Sequence, residues 1–352
     1  MVTINQISEP ILRELQVYRE KFKGALQHED DLLGSVLGYV RQRNGKMMRP
    51  MLVLLTAREF GSVGEVAYRS AITVELLHTA SLLHDDVVDE SNQRRGQSSV
   101  NAIYDNRIAV LVGDYILSTS LEQATLTGSM RIVRRIAELG KMLSDGEVKQ
   151  IASIRDREIS EHTYYDIIHC KTAELFAACA ELGAISSGAR EADVAKAYRL
   201  GEIIGMCFQI RDDIFDYYES AEIGKPTGND MREGKLTLPV IHVLKNTSDS
   251  EMLGIAAKVK DGSVTCDEIG KLVDFTKKNG GIDYAESVMS RFSDEARELI
   301  AGYSNDGVRA ALMWISWPKG KCSFTENLFA SRTSFCRLFL CLYCMWCNVS
   351  VG

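Results

Sequence analysis

Apolar positions recur three and four residues apart through most of residues 5–312, the spacing of one face of an α-helix. Strictly alternating stretches bounded by hairpin turns are scarce. Helix-breaking clusters fall at 44–45, 61–64, 91–96, 127–128, 187–188, 223–234, 261–262 and 279–281. The pieces between them run to about 15–30 residues, suited to the helices of a large bundle. Only five prolines occur, at Pro10, Pro50, Pro226, Pro239 and Pro318, so long stretches lack the residue that most strongly breaks helices. No strand–helix alternation and no glycine-rich nucleotide loop is visible. The pattern predicts an all-α protein, one large helical bundle with a central cavity, over residues 1–313.

The pattern changes after Met313. Residues 335–347 are nearly all apolar, with Arg337 the only charge, and five cysteines (Cys322, Cys336, Cys341, Cys344 and Cys347) fall in residues 314–352. The apolar run is too short to span a bilayer. The spacing Cys341-x-x-Cys344-x-x-Cys347 matches part of an iron–sulfur or zinc site, but no fourth ligand is evident. This tail reads as an element outside the helical domain.

Two copies of one acidic pattern carry the chemistry. Residues 82–89 read Leu-Leu-His-Asp-Asp-Val-Val-Asp, and residues 209–216 read Gln-Ile-Arg-Asp-Asp-Ile-Phe-Asp. On a helix, Asp85 lies over Asp89 and Asp212 over Asp216. Like charges at that spacing repel, and carboxylates in apolar stretches are costly to bury without partners. A divalent cation removes both costs. Hard carboxylate oxygens in small number suit Mg²⁺, which usually binds through one or two carboxylates plus substrate phosphates. One such triplet could be a solvated acidic patch; two in apolar helical surroundings argue for a metal-dependent site.

Basic and hydrogen-bonding residues recur near both triplets. His78, Leu82, Asp85 and Asp89 share one helical face, and Arg94 and Arg95 follow closely. Paired arginines beside a metal site can fork onto phosphate oxygens. Lys46 and Arg49 stand where a loop opens an apolar helix, a place favourable to anions. Near the second triplet, Gln209, Asp213 and Asp216 fall at i, i+4 and i+7. The loop of residues 224–235 then carries three glycines, a proline, Lys225 and Lys235, as a mobile lid over a phosphate would. Lys171 and Thr172 add a cation and a hydroxyl on a mid-chain helix.

A net charge of −7 argues against a general nucleic-acid binder. The N-terminus lacks the basic start and apolar core of a signal peptide. No run of eighteen apolar residues predicts a spanning helix, which makes the cytoplasm the expected compartment. Cys170, Cys179, Cys207 and Cys266 are scattered and are expected to be reduced.

Over residues 10–312 the chain resembles the trans-prenyl diphosphate synthases, the polyprenyl synthetases. The resemblance rests on Gly45-Lys46-x-x-Arg49-Pro50, the first triplet with Arg94-Arg95-Gly96, Lys171-Thr172, Gln209-x-x-Asp212-Asp213-x-x-Asp216, and the segment from Gly224-Lys225 to Lys235-Leu236-Thr237-Leu238-Pro239. It implies an isoprenoid synthase-like bundle and a homodimer. An allylic diphosphate is held by Mg²⁺, with Mn²⁺ able to substitute, through Asp85, Asp89, Asp212 and Asp216. Asp86, Asp213, Lys171 and Lys225 belong to the same catalytic set. Arg94 and Lys235 assist, Thr172 and Gln209 position the substrate, and Lys46, Arg49, His78 and Arg95 bind isopentenyl diphosphate. A bulky aromatic one turn below the first triplet closes the product tunnel in the family; Leu77, Ala80 and Ser81 leave it open here. The expected product is a long all-trans chain used for quinone side chains, released with transient membrane contact. A class I terpene cyclase would replace the second triplet with an Asn/Ser/Glu set, and a non-catalytic partner subunit would have lost one triplet. A ferritin-like di-iron bundle needs two Glu-x-x-His motifs, and only residues 75–78 supply one.

Overall fold

A computed structural model of the chain describes residues 4–42, 47–94, 97–155, 160–218 and 227–316. The helices are α1 (Ile4–Ser8), α2 (Leu12–Ala25), α3 (Asp31–Gln42), α4 (Met48–Phe60), α5 (Glu65–Val88), α6 (Val100–Tyr104), α7 (Asn106–Thr125), α8 (Met130–Arg155), α9 (Glu161–Ile168), α10 (Glu174–Ser186), α11 (Glu191–Phe215), α12 (Asn229–Arg232), α13 (Leu238–Lys245), α14 (Ser250–Asp261), α15 (Cys266–Lys278), α16 (Gly281–Ile300) and α17 (Asp306–Ser316). A five-residue π-helical segment, His169–Ala173, joins α9 to α10. The strand content among the described residues is one two-residue hairpin, with Gln93 opposite Ser98 and Arg94 opposite Gln97. The all-α expectation holds.

The described residues fall into two compact units. The first draws on the described residues within 4–138, 178–199 and 300–316, the second on those within 139–177 and 200–299. In the first, α4 is buried continuously from Arg49 to Ala57 and α5 from Ser70 to His78. A helix apolar on all sides belongs at the centre of a core. Helix α4 packs on α5, and α5 on α7. In the second, α15 buries Ile269, Leu272, Val273 and Thr276, the three-and-four spacing of an amphipathic outer helix. The residues after Ser316, where the apolar cysteine-rich run lies, fall outside the described residues.

Most breaks lie where the sequence puts them. Gly128, Gly188 and Gly262 adopt positive φ, the left-handed conformation that glycine enters without steric cost. The break before α14 was not foreseen. Its signal is Asp249, whose side chain accepts from the Glu251 and Met252 amides at 2.9 and 3.2 Å in an N-cap that is plain in hindsight.

Two glycines give opposite expectations. A Cβ on Gly201 of α11 would stand 2.4 Å from the Phe176 carbonyl oxygen and 2.7 Å from the Ala177 Cα. Neither backbone atom can step aside, so Gly201→Ala should destabilise the fold by about 1–3 kcal/mol. A Cβ on Gly254 of α14 would meet nothing within 4 Å, so Gly254→Ala should stabilise by about 0.5–1 kcal/mol. Thermal melts of the two variants check both signs.

Candidate active site

The first aspartate triplet ends α5. Asp85 and Asp86 lie in its last turn, and Asp89 stands just past Val88, its amide still donating to the Asp85 carbonyl at 2.8 Å. Asp85 is half-buried and Asp89 exposed, while Asp86 is 1% exposed. The middle carboxylate turns inward, where Arg94 Nε donates to it. Arg94 stands on the hairpin, and Asn101 Nδ2 donates to the Asp86 and Ser91 carbonyls at 3.3 and 3.1 Å. Asp86 therefore fastens the segment that follows α5, and Asp85 and Asp89 are left facing outward.

Arg49 and His78 are both buried in the same unit. Arg49 is in the first turn of α4, beside the loop that opens the helix, as the sequence implies. Its charge reaches Cys179, whose thiol burial pushes up to about 12 while the guanidinium pulls the other way. Lys46 and Arg95 lie outside the described residues. Leu77 and Ala80 are buried. Ser81 is half-buried, its hydroxyl donating to the His78 carbonyl at 2.9 Å. Two contacts fix what faces this stretch. His84 fills the space a Cβ on Gly113 would need, and the Ser120 hydroxyl donates to the Thr73 carbonyl at 2.9 Å. Helix α7 therefore runs antiparallel to α5, which places Ile116 alongside residues 77–81.

The second unit holds a cavity of about 280 Å³ whose walls include Lys171, Thr172, Gln209, Asp212, Asp213 and Lys235. Helix α11 supplies the acids from its last turns. Asp213 is buried and receives two hydrogen bonds, from Tyr164 Oη at 2.6 Å and from Gln209 Nε2 at 2.9 Å. Gln209 Oε1 in turn accepts from the Thr172 hydroxyl at 2.8 Å. Lys171 Nζ lies 2.5 Å from Glu147 and 2.9 Å from Gln150 Oε1. Asp216 accepts from the amides of Asn229 and Asp230 at 2.9 and 3.1 Å, which ties the end of α11 to α12. Lys225 lies outside the described residues.

The sequence reading missed four contributors. Tyr164, which orients Asp213, carries no local signal. Glu147 and Gln150 meet Lys171 only through the fold. Asp230 lines the cavity from within the glycine-rich loop, and its acidic side chain among lysines was a signal left unused.

The two triplets share one electrostatic problem. Each sits at a helix C-terminus, the negative end of the dipole, where a carboxylate is unfavourable and a cation favourable by about 0.3–1 kcal/mol. Burial pushes the Asp213 carboxyl up to about 7, against the hydrogen bonds from Tyr164 and Gln209 and with help from Asp212 and Asp216. Burial and the same neighbours raise Asp230. Among the described residues no group of three or more His, Cys, Asp or Glu side chains could hold a metal alone. A cation here would have to complete its shell with oxygens of another molecule or water. The donors are all hard oxygens, and the set fits Mg²⁺ bound through one or two carboxylates.

Tyr164→Phe should test the middle carboxylate. Removing the 2.6 Å bond leaves Asp213 with one side-chain donor and a looser rotamer. Outer-shell partners of this kind typically matter by about 10–100-fold in activity or metal affinity. Steady-state kinetics of the variant should show a loss in that range, with a melt close to the parent.

The polyprenyl synthetase family model matches residues 30–274, and the chain belongs to that family of prenyltransferases. It is 33% identical to octaprenyl diphosphate synthase of Haemophilus influenzae over 301 residues, 85% of this chain and 90% of that one. It is 34% identical to heptaprenyl diphosphate synthase component 2 of Geobacillus stearothermophilus, over 88% of this chain and 95% of that one. Among solved structures, a geranylgeranyl pyrophosphate synthase from Bacteroides thetaiotaomicron superposes with a TM-score of 0.78 at 46% identity, covering 89% of this chain and 97% of that one. A decaprenyl diphosphate synthase from Rhodobacter capsulatus superposes with a TM-score of 0.83 at 33% identity, with the same coverage.

Proposed function

We propose that this prenyltransferase condenses isopentenyl diphosphate with an allylic diphosphate and builds a long all-trans polyprenyl diphosphate. The observation that carries the reading is the pair of aspartate triplets at helix C-termini, one of them in a cavity that also presents Lys171 and Lys235.

Asp85, Asp89, Asp212 and Asp216 are the residues we assign to Mg²⁺, with Mn²⁺ able to substitute. The bound cation supplies Lewis-acid stabilisation of the leaving diphosphate. Asp216 accepts two amide hydrogens, one on each oxygen. Asp86 and Asp213 hold the outward carboxylates in place through Arg94 and Tyr164. Lys171, Lys225, Lys235 and Arg94 neutralise charge that builds on the allylic diphosphate as its carbon–oxygen bond breaks. Thr172 and Gln209 orient it. Lys46, Arg49, His78 and Arg95 bind isopentenyl diphosphate, whose double bond attacks the allylic carbon before a proton leaves. The buried apolar side chains around Leu77 and Ala80 exclude the water that would otherwise quench the cation.

Small residues below the first triplet favour a product of roughly thirty carbons or more, since a chain growing along α5 gains ~1.5 Å of path for each residue passed. The 46% identity to a geranylgeranyl pyrophosphate synthase supports a second reading, with growth stopping at geranylgeranyl diphosphate. Incubation with labelled isopentenyl diphosphate, an allylic primer and Mg²⁺, followed by chromatography, separates the two. Prenyl alcohols of six or more isoprene units after phosphatase treatment support the long-chain reading, and a geranylgeranyl product replaces it. No incorporation by folded protein rejects prenyl transfer.

A homodimer fits the exposed face of α7. Val110, Leu111 and Leu121 there are 38%, 64% and 43% exposed, with Leu126 just beyond at 55%, large apolar side chains of the kind that association surfaces cover. Among the described residues no helix is long and apolar enough to cross a membrane. We place the enzyme in the cytoplasm, where its apolar product would leave through transient membrane contact.

A further inference from the structure

Lys171 and Thr172 stand in a π-helical segment rather than in a regular helix. A π turn inserts one extra residue into a helix, is rare, and recurs at functional sites. Such a turn persists only where its surroundings enforce it.

Helix α11 enforces it at three points. His169 Nε2 lies 3.0 Å from Glu202 Oε1. A Cβ on Gly205 would stand 2.5 Å from the Ala173 Cα. Thr172 donates to Gln209 Oε1 at 2.8 Å. Positions 202, 205 and 209 fall at i, i+3 and i+7, one stripe of α11, and the same stripe continues to Asp213. Helix α8 closes the other side. A Cβ on Gly146 would stand 2.7 Å from Cys170 Cβ and 2.9 Å from Lys171 Cγ, and Lys171 itself meets Glu147 and Gln150. From this segment Lys171 reaches α8 and Thr172 reaches α11.

We infer that His169, through its bond to Glu202, is a positioning residue that latches this turn to α11 and so sets the placement of Lys171 and Thr172 in the cavity. The inference rests on the diphosphate reading of that cavity. His169 is the only one of the three ties that can change its charge near neutral pH. Acidic groups face it from each neighbour: Glu202 of α11, buried Glu174 at the start of α10 with an oxygen 3.8 Å away, and Asp166 of α9. Helix α8 presents Asp145 and Lys149 to the adjacent Cys170. The Glu202 hydrogen bond, with smaller help from the acids, holds the imidazolium above its ordinary 6.5. A raised histidine contributes fully below its unfolded value and loses its contribution as pH rises through the folded value. The latch is therefore strongest at and below pH 6.5 and weakens on the alkaline side, where a neutral imidazole keeps at most a single uncharged N–H donor to Glu202.

The test compares the parent with His169→Gln, His169→Arg and Glu202→Gln in the full chain. Misplacement of a diphosphate-binding side chain by about an ångström can cost up to about a hundredfold. His169→Gln and Glu202→Gln should lower kcat by about tenfold or more, leave KM for isopentenyl diphosphate within a factor of about two, and speed hydrogen exchange of the amides of residues 169–173. His169→Arg, which keeps a cation at all pH values, should restore kcat and shift the alkaline limb of the pH profile upward. Parent-like kcat and exchange in both Gln variants overturn the latch, as does an alkaline limb unmoved in His169→Arg. If the parent itself transfers no prenyl group, the diphosphate reading fails, and the exchange comparison still decides whether His169 holds the turn.

Discussion

Asp85→Ala and Asp212→Ala should each lower prenyl-transfer turnover by at least about a thousandfold, equivalent to ~4 kcal/mol of transition-state stabilisation. The expected stability change has the opposite sign. Each aspartate adds negative charge at the C-terminal end of its helix, so in the absence of divalent cation its removal should raise stability by about 0.3–1 kcal/mol. The two neighbours buried inside the triplets should behave differently. Asp86→Ala deletes the acceptor of a bond from Arg94 and should cost about 1–3 kcal/mol of fold stability. Kinetics across a Mg²⁺ titration, paired with melts in chelator, measure both quantities. Near-parental turnover in either outward-facing variant would remove the assignment of that triplet to the metal. Equal melts for Asp85→Ala and Asp86→Ala would remove the distinction between ligand and anchor.

Ser81→Phe should shorten the product to roughly fifteen to twenty carbons, because the ring would stand only ~6 Å of helix length from Asp85, at four residues of ~1.5 Å each. Ser81 is half-buried, whereas Ala80 is 1% exposed. A ring at Ser81 has space to enter, while Ala80→Phe would overpack the core and cost about 1–3 kcal/mol. The structure adds Ile116 of α7, fully buried and alongside residues 77–81, as the residue to vary next. Chromatography of the dephosphorylated products decides the matter. An unchanged product from a well-folded Ser81→Phe enzyme would show that the chain does not grow past this position.

Much of the fold is legible in the sequence. The three-and-four spacing of apolar residues and the near absence of strand patterns determine an all-α protein, because burying one stripe per helix is the strongest constraint on such a chain. The glycine breaks were legible for a similar reason, since φ near +70° is open to glycine at no steric cost. The break at Asp249 was missed because a capping side chain, not a glycine or proline, starts the next helix.

The candidate site divides differently. By itself the sequence determined which carboxylates, lysines and arginines exist and which triplets they form, since helical spacing puts Asp85 over Asp89 and Asp212 over Asp216. Only the tertiary structure decided which member of each triplet turns inward: Arg94 reaches Asp86 because the chain folds back after α5, and Asp213 meets Tyr164 from another helix as well as Gln209 on its own. It alone decided that Lys171 and Thr172 ride on a π turn. An extra residue in a helical turn leaves no mark on local propensity and survives only where glycines at 146 and 205 let neighbouring helices come close enough to hold it.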